Sequence, residues 1–186
     1  MKKPLTFLSA VVFLILFFSC HKSGTSTPQG LNGNWNFLSM SAQTRLTSNE
    51  AGGITAVALT NYLTKNNTGT ITFAGDSMVI AGMGYSVDTS TTIIFSYNNT
   101  PYDTASQTVS FSVPPTSASS HYQLVNNDSL YFPSGGLLTT FDSSATKGQG
   151  SRFTITGDSL IVTSQVIDST GGVLTVAKSV IYMKRK

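Results

Sequence analysis

The chain has 186 residues, 40% of them hydrophobic and only 10% charged, with a formal net charge of +3 at pH 7. That length fits one all-β domain, and so thin a charge inventory argues against a nucleic-acid-binding surface. Apolar residues recur at strand spacing, which excludes a disordered chain.

Lys2 and Lys3 precede an apolar run, Leu5 to Phe18, interrupted by Thr6 and Ser9 and closed by Ser19-Cys20. The run is shorter than the roughly 20 residues of a membrane-spanning helix. These features resemble a bacterial lipoprotein signal peptide over residues 1–19. The resemblance implies cleavage before Cys20, acylation of Cys20 with chains such as palmitate, and a membrane anchor in the cell envelope. The outer membrane is the expected site, with the periplasmic and surface faces both open. Cys20 is the sole cysteine, so an internal disulfide is excluded and acylation gives the thiol a use. Cleavage removes Lys2 and Lys3, leaving nine basic residues against eight acidic ones; Lys184, Arg185 and Lys186 close the chain. Residues 20–30 then read as the lipidated cysteine and a Ser/Thr/Gly/Pro tether.

The domain is expected over residues 31–186. Its first strand starts at Leu31-Asn32-Gly33-Asn34-Trp35 and is predicted to run to about Thr44. Leu46 to Asn67 breaks the pattern. Ser48 can cap a helix, and Ile54, Ala58 and Tyr62 fall at i, i+4 and i+8, which predicts a short helix or helical loop. Next comes a hairpin, ITFAGDSMVI, from Ile71 to Ile80, with a bend or bulge at Gly82 and Gly84. Thr91 to Tyr97 reads as a strand, and Asn98 to Ser106 as a loop containing Pro101. Gln107 to Val113 is a strand of clean alternation ended by Pro114-Pro115. A second copy of the hairpin, YQLVNNDSLYF, covers Tyr122 to Phe132. Pro133 to Gly150 is a loop with an apolar patch at Leu137, Leu138 and Phe141. A third copy, FTITGDSLIV, covers Phe153 to Val162, and a turn at residues 169–172 leads to the last strand, Val173 to Met183. The pattern predicts an all-β antiparallel meander barrel of about eight to ten strands with one short helix after the first strand; a two-sheet sandwich is the alternative.

Gly33-x-Trp35 at the head of the first strand resembles the lipocalin superfamily and the lipocalin-like domains of bacterial lipoproteins. The family's Thr-Asp-x-x-Tyr motif is absent, which marks a divergent relative. The resemblance implies a barrel with Trp35 across its closed end, under an arginine from a late strand, Arg152 or Arg185. Gly33 and Trp35 are then structural.

Inward positions include Phe37, Phe73, Phe95, Phe111 and Phe132. These five are the candidate ligand-binding residues of the barrel interior, and they serve equally well as a packed core. Two functions follow: a carrier of a small apolar ligand, or a packed envelope interaction or accessory module.

Catalytic chemistry is sparse. The mature chain has two histidines, His21 in the tether and His121 at a strand start. No metal site of ordinary type, nucleophile elbow, phosphate loop or calcium loop is present, so no enzyme activity and no cofactor are expected. The expected partners are the membrane, through Cys20, and a small hydrophobic ligand; nucleic acid is not among them, and a monomer is expected. Five tripeptides of Asp-Ser/Thr followed by an aliphatic residue or Thr, at Asp76, Asp103, Asp128, Asp158 and Asp168, resemble O-glycosylation acceptors, although three of them are the hairpin turns, where Asp has a backbone role.

Overall fold

The computed structural model describes residues 30–135 and 148–186. The signal peptide, Cys20, the tether to residue 29 and the patch at Leu137, Leu138 and Phe141 lie outside the described residues. Ten strands occur in chain order: β1 (Gly33–Glu50), β2 (Ile54–Leu63), β3 (Lys65–Ala74), β4 (Ser77–Tyr97), β5 (Thr100–His121), β6 (Gln123–Asn126), β7 (Ser129–Phe132), β8 (Gln149–Thr156), β9 (Ser159–Thr170) and β10 (Val173–Arg185). All belong to one antiparallel sheet.

The chain is an antiparallel meander with one long-range pairing. β2 and β3 form a single bent strand, because both lie between β1 and β4. Thr64 is the joint: its backbone N–H donates to the Met40 carbonyl at 2.9 Å and its hydroxyl accepts from the Met40 N–H at 2.8 Å. Reading across, the order is β5, β4, β2/β3, β1, β10, β9, β8, β7, β6. The first strand therefore pairs with the last, as in a barrel. Among the described residues no ladder joins β5 to β6, so the sheet does not close, contrary to the expected barrel. The physical reason is a mismatch of length. β5 has 22 residues, whereas β6 and β7 have four each. Pro114 and Pro115 also remove two donors from β5.

Tyr122 fills the foot of this open seam. Its ring lies 5.7 Å from that of Phe73 and 6.1 Å from that of Phe132. Its hydroxyl donates to the Gly75 carbonyl at 2.8 Å, and its backbone N–H to the Asp76 carbonyl at 2.8 Å. The core gathers at the same end, where Leu31, Trp35, Ile71, Phe73, Met78, Ile80, Phe132, Leu160 and Met183 are buried. β2 shows no in-out alternation of burial, since residues 54–60 are all half-buried.

Three local expectations are corrected. No helix follows β1: a three-residue 3-10 turn, Ala51–Gly53, connects β1 to β2. Gly52 and Gly53 have φ of 77° and 79°, which a tight reversal of two paired strands requires. Spacings of four and eight fit one face of a strand as well as one face of a helix. The β-branched Ile54, Thr55, Val57 and Thr60 decide for the strand. Asn98 to Ser106 is not a loop, because Asn98 and Asn99 at positive φ make a two-residue turn and β5 begins at Thr100. Pro114-Pro115 does not end β5. Among the described residues the strand pairs only with β4, so its other edge needs no donors there. The expected bend at Gly82 and Gly84 is present as register shifts between Ile80 and Met83 and between Met83 and Tyr85.

Candidate functional site

The five candidate ligand-binding phenylalanines do not line one chamber. Phe37, Phe73 and Phe132 are 5%, 1% and 0% exposed in the packed core. Phe111 stands above it, 41% exposed, edge-on to Tyr62 and Tyr85 at 6.3 and 6.5 Å. Phe95 is farther along β4, paired with Tyr102 at 6.4 Å. Phe37 joins the two zones through Tyr85, at 6.3 Å. Burial raises the Tyr62 hydroxyl pKa, and burial together with the neighbouring Tyr62 pushes that of Tyr85 up to about 12. Both stay neutral at any physiological pH. Above the aliphatic core, Ser151, Ser164 and Ser179 form a buried row in register across β8, β9 and β10. The hydroxyls of Ser151 and Ser164 are 2.6 Å apart.

Trp35 is fully buried, and its indole N–H donates to the Leu31 carbonyl at 2.9 Å. Arg185 lies over its ring at 4.3 Å. The guanidinium also donates to the Gly30 and Asn32 carbonyls, so it ties the entry of the domain to its last strand. Gly33 has φ of 132°, and a Cβ there would meet the Arg185 guanidinium at 3.0 Å. Arg152, the other sequence candidate for this position, is exposed on β8.

His121 does meet a hydroxyl and a carboxylate. Its Nδ1 lies 3.3 Å from Ser77 Oγ and 3.8 Å from Asp76 Oδ2. Both contacts fall on the same ring nitrogen, whereas a catalytic triad needs one partner on each nitrogen. The His121 and Asp76 side chains are 78% and 81% exposed at a hairpin, so no cleft shields them. Among the described residues no group of three His, Cys, Asp or Glu could hold a metal ion.

Two concavities lie elsewhere. One of about 620 Å³ runs over β2, β1, β10 and β9, and one of about 480 Å³ over β9, β8, β7 and β6. Gln43, Asn61, Leu63, Thr163, Gln165 and Lys178 in the first are exposed, while Ala42, Ser164 and Ser179 are buried. The same alternation holds in the second, where Tyr131, Gly150 and Arg152 are exposed and Leu130 and Ser151 are buried. Both grooves therefore open on the face of the sheet opposite the core. They share Thr163, Ser164 and Gln165 and so form one trough. Sequence reasoning missed this site. Most of its exposed residues are ordinary polar positions of alternating strands, and only the register brings them into line.

No family model matches the chain, and no curated protein matches it. Solved structures that align with it include two of Ail, the attachment invasion locus protein of Yersinia pestis, one of them in complex with the heparin analogue sucrose octasulfate. They are 10% and 9% identical, each alignment covers 83% of this chain and 99% of the other, and the TM-scores are 0.27 and 0.28. Scores of that size do not show a shared fold. The resemblance to lipocalin-like domains is corrected. No family model supports it, and among the described residues the sheet neither closes nor carries the expected helix.

Proposed function

We propose that the chain is a non-catalytic interaction module of the bacterial cell envelope, anchored by a lipid on Cys20, that engages its partner through the outer face of its sheet. One observation carries this reading. Three of the five side chains that would line a ligand chamber, Phe37, Phe73 and Phe132, belong to the packed core at the foot of the sheet, 5%, 1% and 0% exposed. A core filled in that way leaves no room for a carried molecule. The trough on the opposite face is open, and its exposed lining combines Gln43, Asn61, Gln165, Lys178 and Arg152 with the apolar Leu63 and Val125. The exposed Ser77–His121–Asp76 group, with both contacts on one nitrogen, supports a role without catalysis.

The test is native mass spectrometry of the full-length chain, extracted from bacterial membranes in mild detergent. The expected species is the processed, acylated polypeptide with no other bound molecule. A discrete extra mass that disappears on denaturation restores the carrier reading and overturns this one. Cys20→Ser is expected to lose the acyl mass and leave the membrane fraction; an unchanged distribution removes the lipid anchor from the proposal.

A further inference from the structure

We propose that the trough on the outer face binds an acidic polysaccharide, lying across the strands. The inference rests on the envelope-interaction reading and names the chemistry of the partner.

The trough is organised by register. Asn61 is opposite Gln43, Gln43 opposite Lys178, and Lys178 opposite Gln165. Across the trough's other end, Tyr131 lies opposite Gly150 and Gln123 opposite Tyr131. Ser151 and Ser164 are the last pair of the intervening ladder, and Gly150 and Gln165 are the next residues on each strand. One row thus crosses seven strands and holds three of the chain's six glutamines. Directly opposed side chains on neighbouring strands share a face, with strands about 4.8 Å apart. Apart from Gly150, the row therefore presents a polar group on each strand, at intervals comparable to the width of a sugar ring.

The chemistry of the row selects the partner. A carboxamide offers two donors and an acceptor, which suits the mixed donor and acceptor character of vicinal hydroxyls. Gly150 leaves open space in the row, and Tyr131, whose ring lies against Gly148, is 39% exposed beside it and offers aromatic surface to a sugar ring. A protein partner would call for a desolvated aromatic or arginine anchor at the centre, and interface centres are depleted in lysine. Here the centre is Lys178 beside Gln165.

Charge settles the class of polysaccharide. Lys178 and Arg152 line the trough, and no carboxylate does. Among the described residues neither cation has an acidic partner; the ion pairs found there join Lys65 to Asp88 and His121 to Asp76. The nearest acid in sequence to the trough lining, Asp128, is in the β6–β7 turn and accepts from the Ser129 hydroxyl at 2.8 Å. Two uncompensated cations in an amide-lined groove favour carboxylate- or sulfate-bearing sugars over neutral ones. Leu63 on one flank and Ile167 on the other, 58% and 64% exposed, provide apolar contact for the ring C–H groups.

The experiment measures binding of the full-length chain in detergent to polygalacturonate and dextran sulfate, with neutral dextran as the comparison, at rising salt. Binding to both acidic polymers and not to dextran, declining as salt screens the charges, is the expected result. Gln165→Ala and Lys178→Gln should each weaken it about fivefold or more, the loss of one hydrogen bond to a charged group. These side chains are exposed, so the thermal midpoint should not move. Lys184→Gln, six residues along β10 and about 20 Å from Lys178, should bind as the parent does. Equal binding to dextran, binding indifferent to Gln165→Ala and Lys178→Gln, or no binding to either acidic polymer would each overturn the proposal. Failure of the broader envelope reading registers separately, as a bound small molecule in the native mass spectrum.

Discussion

Arg185 and Trp35 face each other across β10 and β1, with the guanidinium carbon 4.3 Å from the indole centroid. The cation covers a fully buried ring and holds the Gly30 and Asn32 carbonyls at the same time. Replacing Arg185 with Met keeps the bulk and loses the charge and the fork. The expected loss is about 1–3 kcal/mol of stability, read from urea unfolding. Arg185→Lys should recover only part of it, because an ammonium cannot reach two carbonyls in the same plane.

Phe73 and Phe111 carry opposite expectations although both looked inward in the sequence. Phe73→Ala opens a cavity in a packed core and should cost about 3–5 kcal/mol. Phe111, 41% exposed on an edge strand, keeps only its edge contacts with Tyr62 and Tyr85, so Phe111→Ala should cost about 1 kcal/mol. Denaturant midpoints of the two variants check the difference. Equal losses would mean that the upper sheet is packed as tightly as the foot.

Alkaline pH should unfold the domain through its tyrosines. Burial raises the pKa of Tyr62, Tyr85 and Tyr122, with Tyr85 reaching about 12. Above the ordinary tyrosine value of about 10 the unfolded chain loses these protons while the folded chain keeps them. The stabilisation is therefore fully present below about pH 10 and is lost as pH rises through the folded values. Thermal midpoints measured from pH 8 to 12 should be flat at first and then fall. Tyr85→Phe should blunt the fall.

Gly69 makes the tightest backbone approach of the described glycines. Its φ is 101°, and a Cβ there would lie 2.5 Å from Met83 Cα and 2.6 Å from Met83 N. Backbone cannot yield as a flexible side chain does. Gly69→Ala should therefore cost more than about 1 kcal/mol, whereas Gly75→Ala, with open space around it, should pay only for its φ of 61°. Calorimetric midpoints of the pair separate the two effects.

The hairpins at Gly75-Asp76, Asn127-Asp128 and Gly157-Asp158 could be read directly, because turn chemistry and alternation are local properties. So could the bulge at Gly82. The strand through Ile54, Ala58 and Tyr62 could not, since its spacing satisfied a helix and a strand alike, and its half-buried faces hid the period-two signal. Pro114 and Pro115 suggested an end because the edge position of β5 is a property of the whole sheet. Closure failed for a similar reason: whether two remote strands match in length is not written near either one. The trough was the least legible feature. Asn61, Gln43, Lys178 and Gln165 are separated along the chain and meet only through three ladders.

The pairing of β1 with β10 also fixes when the domain can form. Asn32 and Arg185, which share a hydrogen bond, are 153 positions apart. Until the last strand has been made, β1 and β9 each lack a neighbour and Trp35 lacks its cover. All-β domains fold in milliseconds to seconds rather than microseconds, and here the pairing of the first strand with the last adds one long-range contact to an otherwise local meander. Synthesis therefore delivers a nearly complete polypeptide before the native sheet can assemble. A transcript cut short by even the final strand yields a chain with two new bare edges, prone to pair with its neighbours.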